Sequence, residues 1–393
     1  MSVDVLRRAG LPRMRPRDPD EPHRATSSLE LFFDLTFVVG VSVAAEGLFR
    51  QESAGHWPTA VFGYLAVFFA LWWGWVNFTW FASAFDTDDW LYRFTTIVQM
   101  GGVLVVAGGI QAAFREDDFR LIVVGYIVMR LAMVAQWLRA ARAPEYRATA
   151  LRYAGAITAV QLLWVLRLLV PVSFVLAQAV TFVVLAGLEL LVPAWAERTR
   201  RTPFNPRHIG ERYGLFTLIV LGEGLLSVTH ALIEAADGGG RSGGLGLLGA
   251  TALVLIAGLW WIYFAREAHD SFVTMRSAFT FGYLHWLVFA AAAALASGLE
   301  LGLEAGDAGR AERVPEAAVR AAATVPVALF LLAAWLVILR PSLGARANRA
   351  VPVLAVLAGA AALLPGGVQW CALAVVAVVA VLEVDQRRAL TAS

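Results

Sequence analysis

The chain has 393 residues, 59% of them hydrophobic and only 16% charged, a balance that excludes a water-soluble surface and places it in the membrane class. Its net charge of +2 comes from 32 basic residues, every one an arginine. These are dispersed among loops and form no basic face with interleaved aromatics, which excludes a nucleic-acid partner. The lone cysteine, Cys371, sits in an apolar run and can form no intrachain disulfide.

Residues 1–28 are rich in arginine and proline and lack the apolar stretch of a signal peptide, so they read as a disordered cytosolic arm. Crossing a hydrocarbon core about 30 Å thick takes roughly 20 apolar residues. Twelve runs qualify, at 29–48, 58–82, 94–113, 121–138, 153–170, 172–192, 211–232, 245–265, 279–298, 318–339, 351–365 and 367–384. The last two share the break LLPGG, so a re-entrant pair or one broken helix is the alternative there. Lipid offers backbone amides no partner, and the runs lack the two-residue alternation of a membrane barrel, so the expected fold is an all-α polytopic transmembrane bundle. With the span-edge Arg212 and Arg320 counted in their flanking loops, the arm, the even-numbered loops and the tail hold 23 arginines and the odd-numbered loops 7, with Arg130 and Arg167 inside spans. This asymmetry puts both termini in the cytosol.

The first and seventh spans share a pattern, ELFFDLTFVV from Glu30 and ERYGLFTLIV from Glu211. The second and eighth share LWWGW at 71–75 and LWWIY at 259–263. Two matches in order suggest two six-helix repeats of parallel topology. The domains would then be a first half at 29–192, a cytosolic linker at 193–210, a second half at 211–385 and a tail at 386–393.

LELFFDLTFVVGV near the start, HIGERYGLFTLIVLGEGLLSV in the middle, LWWIYF after it and FTFGYLHWLVFA further on resemble the low temperature requirement protein A family of bacterial membrane proteins. The resemblance runs over about residues 27–385 and implies a polytopic inner-membrane protein; it supplies no mechanism. Two-repeat potassium channels open each repeat with Phe-Ser-Asp. Phe33-Asp34 lacks the serine, and the seventh span lacks the aspartate as well, which leaves a cation channel as the minor alternative.

Charged groups at membrane depth cost several kcal/mol unless paired, hydrated or neutralised. Glu30 and Glu211 open their spans, where a carboxylate complements the helix N-terminus. Asp34 lies one turn deeper on the Glu30 face. Glu223 lies about 18 Å beyond Glu211, close to the midplane. It is flanked by Gly222 and Gly224, and Ser227 and His230 continue its helix face, the spacing of a polar pathway. Arg130 sits mid-span and calls for a bidentate carboxylate or an anionic substrate; a buried bond between it and Glu223 is the structural alternative. Arg167 can snorkel. His285 is a proton relay or a hydrogen-bonded core residue. Trp72, Trp73, Trp260, Trp261 and Tyr263 lie inside spans and pack the core or line a cavity, the second case favouring an organic solute over a bare ion.

The loop DTDDW (86–90) reads as solvated acid. REAHDSF (266–272) gathers Glu267, His269 and Asp270 without a second histidine-rich segment to complete a ligand set, so no metal or cofactor is expected. No nucleotide loop or nucleophile elbow occurs. Two functions fit: a secondary transporter for a small solute, proton-coupled through Glu223, or a membrane-embedded enzyme acting on a lipid or isoprenoid. The expected partners are the bilayer and a small solute or lipid, and a homo-oligomer stays open.

Overall fold

The computed structural model describes residues 13–21, 24–169, 175–237, 242–267, 274–305 and 314–392, and among these there are helices and turns but no strand. The helices are α1 (Ser28–Ser53), α2 (Trp57–Phe85), α3 (Trp90–Glu116), α4 (Arg120–Ala140), α5 (Arg147–Leu169), α6 (Val175–Ala196), α7 (Pro206–Asp237), α8 (Ser242–Phe264), α9 (Met275–Ala305), α10 (Glu316–Ala334), α11 (Ala345–Ala360) and α12 (Gly367–Ala392). Each carries a stretch long and apolar enough to cross a membrane, α11 together with the 3-10 turn that extends it to Leu363. They coincide with the twelve apolar runs, because a helix keeps every backbone hydrogen bond inside the segment. Exposed apolar residues such as Leu131, Leu162, Val183, Leu253 and Leu373 clothe the outer faces, a surface suited to lipid.

The LLPGG break separates two helices. A 3-10 turn closes at Leu363, Gly366 adopts φ +67°, and α12 starts at the next residue. α7 begins at Pro206 rather than near 211, which alters the reading of everything in its first two turns.

The chain divides into two compact units, one comprising Met1–Val43 and Ala66–Arg212, the other Ala44–Leu65 and Tyr213–Ser393. In the first, α3 and α4 pack at glycine contact distance: a Cβ built on Gly125 would stand 2.5 Å from Gly102 O. Asp89 caps α3 through Tyr92 N at 2.9 Å and receives the Arg139 guanidinium of α4, with Nη1 at 2.9 Å. Residues of the arm that lie within the described stretch are tied down rather than free. Met14 is buried, Arg17 N donates to Ala84 O at 2.9 Å, and Arg24 donates to Ser83 O and, at 2.7 Å, to Ala82 O. A guanidinium there complements the carbonyls that end α2.

In the second unit α9 and α10 make the close pair, with Gly298 against the backbone of Ala322. Tyr64 donates to Ala290 O at 2.7 Å, Glu52 accepts from Ser297 Oγ at 3.1 Å, and Cys371 of α12 is fully buried.

Candidate functional site

Glu30 and Asp34 stand one turn apart on α1, so both carboxylates leave one helix face, and both are fully buried. A capping box holds the first. Ser27 Oγ accepts from Glu30 N at 3.3 Å, while Glu30 Oε2 accepts from Ser27 N and Ser27 Oγ at 2.9 and 3.0 Å. The free oxygen, Oε1, accepts from Arg212 Nη1 at 2.9 Å. Arg212 then grips Asp34 with two parallel bonds, Nε to Oδ2 at 3.0 Å and Nη2 to Oδ1 at 2.5 Å, the fork that a guanidinium offers a carboxylate. Trp75 Nε1 completes the set at 2.6 Å from Asp34 Oδ1.

The start of α7 delivers Arg212. Asn205 accepts from His208 N at 3.1 Å through its side chain and Pro206 takes the first helical position, a favoured pairing of cap and first residue. His208 and Arg212 are therefore one turn apart, facing the two acids of α1. His208 Nε2 is 3.1 Å from Glu30 Oε1 but off hydrogen-bond alignment, and Nδ1 has no partner among the described residues. The Tyr92 hydroxyl is likewise buried without one. Just outside the spans, burial pushes Arg24 below the usual guanidinium range against the pull of Glu30. Burial, then the Glu30 charge, pushes Asp86 above the usual carboxylate range.

A second cluster lies across α2. Trp73 and Trp75 are two residues apart, which on a helix turns their side chains to opposite sides. Trp73 Nε1 donates to Glu189 Oε2 of α6 at 2.9 Å, and Arg130 Nη2 of α4 donates to the same oxygen at 3.1 Å. The guanidinium lies 4.5 Å from the Tyr126 ring centroid and donates to its hydroxyl, which is 3.4 Å from Glu189 Oε1. Arg130 thus has its carboxylate, but the carboxylate is Glu189, a residue that no sequence pattern marks out.

The remaining sequence candidates lie elsewhere. Glu223 and Ser227 are half-buried and His230 is exposed; Glu223 has no hydrogen bond or ion pair among the described residues. The flanking Leu225 and Leu226 are 39% and 49% exposed, so this face of α7 borders the surface of its unit. Glu211 is exposed and accepts from Thr26 N at 3.4 Å. His285 is enclosed by the rings of Tyr213, Phe281, Phe289 and Tyr263. Its Nδ1 donates to Phe281 O at 2.7 Å, since a carbonyl only accepts, and Nε2 is left to accept from Tyr263 Oη at 3.0 Å. Both of its ring nitrogens are thus partnered. Trp72, Trp73 and Tyr263 are buried, whereas Trp260 and Trp261 are nearly half exposed, with Trp261 Nε1 donating to Glu383 at 3.0 Å.

Arg167 bonds Thr181 Oγ1 at 3.3 Å. In the DTDDW loop Asp88 pairs with Arg93 at 2.8 Å and Asp89 with Arg139, so these acids serve as caps and ties. Among the described residues no three His, Cys, Asp or Glu side chains stand together in a way that could hold a metal; His269 and Asp270 lie outside the described residues.

Sequence reading misses Arg212, His208, Trp75 and Glu189. The signal for the first two is present: Asn205-Pro206 is a helix start, and moving the start of α7 there converts two loop charges into an i, i+4 pair opposite Glu30 and Asp34.

The model for the family described as bacterial low temperature requirement A protein matches residues 25–384. An uncharacterized protein of Rhizobium meliloti is 27% identical over 275 residues, which cover 65% of this chain and 64% of that protein. The chain therefore spans somewhat less than two thirds of that relative's length.

Proposed function

The chain belongs to the bacterial low temperature requirement A family, and we propose that it is a secondary transporter whose coupling ion is a proton held between Glu30 and His208. One observation carries this reading: the fully buried group sets two carboxylates against one guanidinium and one imidazole, so with both acids ionised and the imidazole neutral it holds an excess negative charge. Glu30 and Asp34 are opposed by Arg212, and the neighbouring Asp86 is opposed by Arg24. Arg17 is paired with Glu21 at 2.8 Å and adds nothing net. An uncompensated charge in a low-dielectric site is costly, and binding a proton removes it. His208, with a bare Nδ1 and its Nε2 against Glu30, is the group placed to take that proton. The pair Asp34–Arg212 then works as the fixed clamp that positions Glu30.

Two further features support the reading. The glycine contacts recur at α3–α4 and α9–α10, which would be corresponding positions if the chain is built from two six-helix halves, a plan used by transporters. The arginine asymmetry favours both termini in the cytosol, and the bacterial family an inner-membrane location. Glu223 remains a candidate for solute passage along α7, with Ser227 and His230 beyond it.

The test needs no knowledge of the solute. Proteoliposomes adsorbed to a solid-supported membrane and stepped between two pH values should give a transient current as the site takes up its proton. Glu30→Gln and His208→Gln should reduce it severalfold, while Glu223→Gln should alter it less. The reading fails if the wild-type protein gives no transient, if both variants match it, or if a steady ion current replaces the transient, as a channel would give. Turnover of added lipid by the same vesicles would favour the enzyme.

A further inference from the structure

The second cluster is the edge of a larger group of buried polar atoms. Trp137 of α4 stacks on Tyr153 of α5 with ring centroids 4.0 Å apart, which sets the register of this antiparallel pair. Two turns along each helix, away from their connecting turn, bring Arg130 level with Val160 and Gln161. On α6, Glu189 meets Arg130, and two turns from it Phe182 meets the Trp164 ring edge-on at 5.5 Å, one turn beyond Gln161. Phe69 of α2, 6.0 Å from Phe182 and 6.3 Å from Trp73, closes the fourth side.

Within this ring of four helices, Gln161 Nε2 and Oε1, Trp164 Nε1 and Arg130 Nε have no hydrogen-bond partner among the described residues. Yet the three side chains are only 7%, 9% and 2% exposed. Buried polar groups are ordinarily paired, and a single orphan has many explanations. Four orphan atoms on two facing helices, all within about a turn of one level, point to polar atoms supplied from outside the chain.

We infer that the space between α2, α4, α5 and α6 binds a small, flat, uncharged organic molecule that carries a hydrogen-bond-accepting carbonyl. The charge follows from the Arg130–Glu189 pair, which is already neutral, so an ionic guest would bring an unopposed charge into an apolar bundle. The carbonyl follows from the count of open groups, in which donors outnumber the single acceptor, Gln161 Oε1. The flat shape follows from the walls: Trp73, Trp164, Phe69 and Phe182 offer ring faces and edges. The inference rests on the transport reading only in taking this guest as the cargo; binding itself is independent of the proton site.

The experiment uses the purified full chain in micelles, titrated with benzamide as the probe and with benzoate as its charged counterpart, and followed by saturation-transfer NMR and calorimetry. Benzamide should bind saturably at millimolar concentration, and benzoate roughly tenfold more weakly or not at all. Gln161→Leu and Trp164→Phe should each weaken benzamide about tenfold, the loss of one hydrogen bond. Gln161→Leu should not lower the thermal midpoint, because it removes polar atoms that are unpaired in the free protein, so its loss of affinity is separable from any loss of fold. Absence of saturable benzamide binding, equal binding of benzoate, or unchanged affinity in both variants would overturn the inference. Intact pH-step currents without benzamide binding would remove this site and leave the transporter standing; benzamide binding without such currents would do the reverse.

Discussion

Arg212 donates to two carboxylates from a position that water does not reach, so its removal leaves two buried charges without a partner. Arg212→Met is expected to cost about 3–5 kcal/mol, whereas adding Glu30→Gln and Asp34→Asn to it should restore most of that loss, because the desolvation penalty disappears along with the pair. Unfolding titrations in mixed micelles measure both. Asp89 gives a pH-dependent counterpart outside the spans. Burial pushes its carboxyl up, but Arg139 and the cap bond to Tyr92 N outweigh burial and hold it below the usual range. Its stabilisation is therefore present in full above the unfolded value of about 3.9 and fades as the pH falls through the lower folded value. Melting curves taken from about pH 5 downward should show that loss, and Asp89→Asn should flatten it. Residue by residue, the acids of α1 are legible from their spacing, since a carboxylate in an apolar run attracts notice. Their basic partners are hidden because an arginine at a span edge looks like ordinary topogenic charge, and Glu189 is hidden because pairing between distant helices leaves no local pattern.

The twelve helices are legible because length and apolarity alone decide them, with no competing solution in lipid. Their ends are less so: caps and docked arm residues are settled by side chains as particular as Asn205 and Arg24. Asn205→Ala should cost about 1 kcal/mol as a lost cap. It should also loosen the placement of His208 and Arg212, which would appear as a reduced pH-step transient in excess of the stability change. Pair packing is more sharply determined. At Gly125 a larger side chain meets the Gly102 carbonyl, a backbone atom that cannot move aside, so Gly125→Val is expected to destabilise by roughly 1–3 kcal/mol, as overpacking does. Gly101→Val on the same turn of α3, where a Cβ meets nothing, should be tolerated. Comparative melting of the two separates close approach from any general intolerance of branched residues in α3 and α4.

For the molecule as a whole, the outward leucines and valines and the family membership fix what kind of protein it is, whereas sidedness rests on arginine distribution. Cysteine accessibility tests it directly. A membrane-impermeant maleimide added to intact cells should label Glu116→Cys, at the end of α3, and spare Thr391→Cys, at the end of α12; the opposite pattern would invert the proposed orientation. Cys371, sealed inside the second unit, makes that mapping unusually clean. The native sulfhydryl is chemically silent in the folded state, so every introduced thiol is read against a blank background, and a signal from the unsubstituted chain would report that α12 has come away from its neighbours.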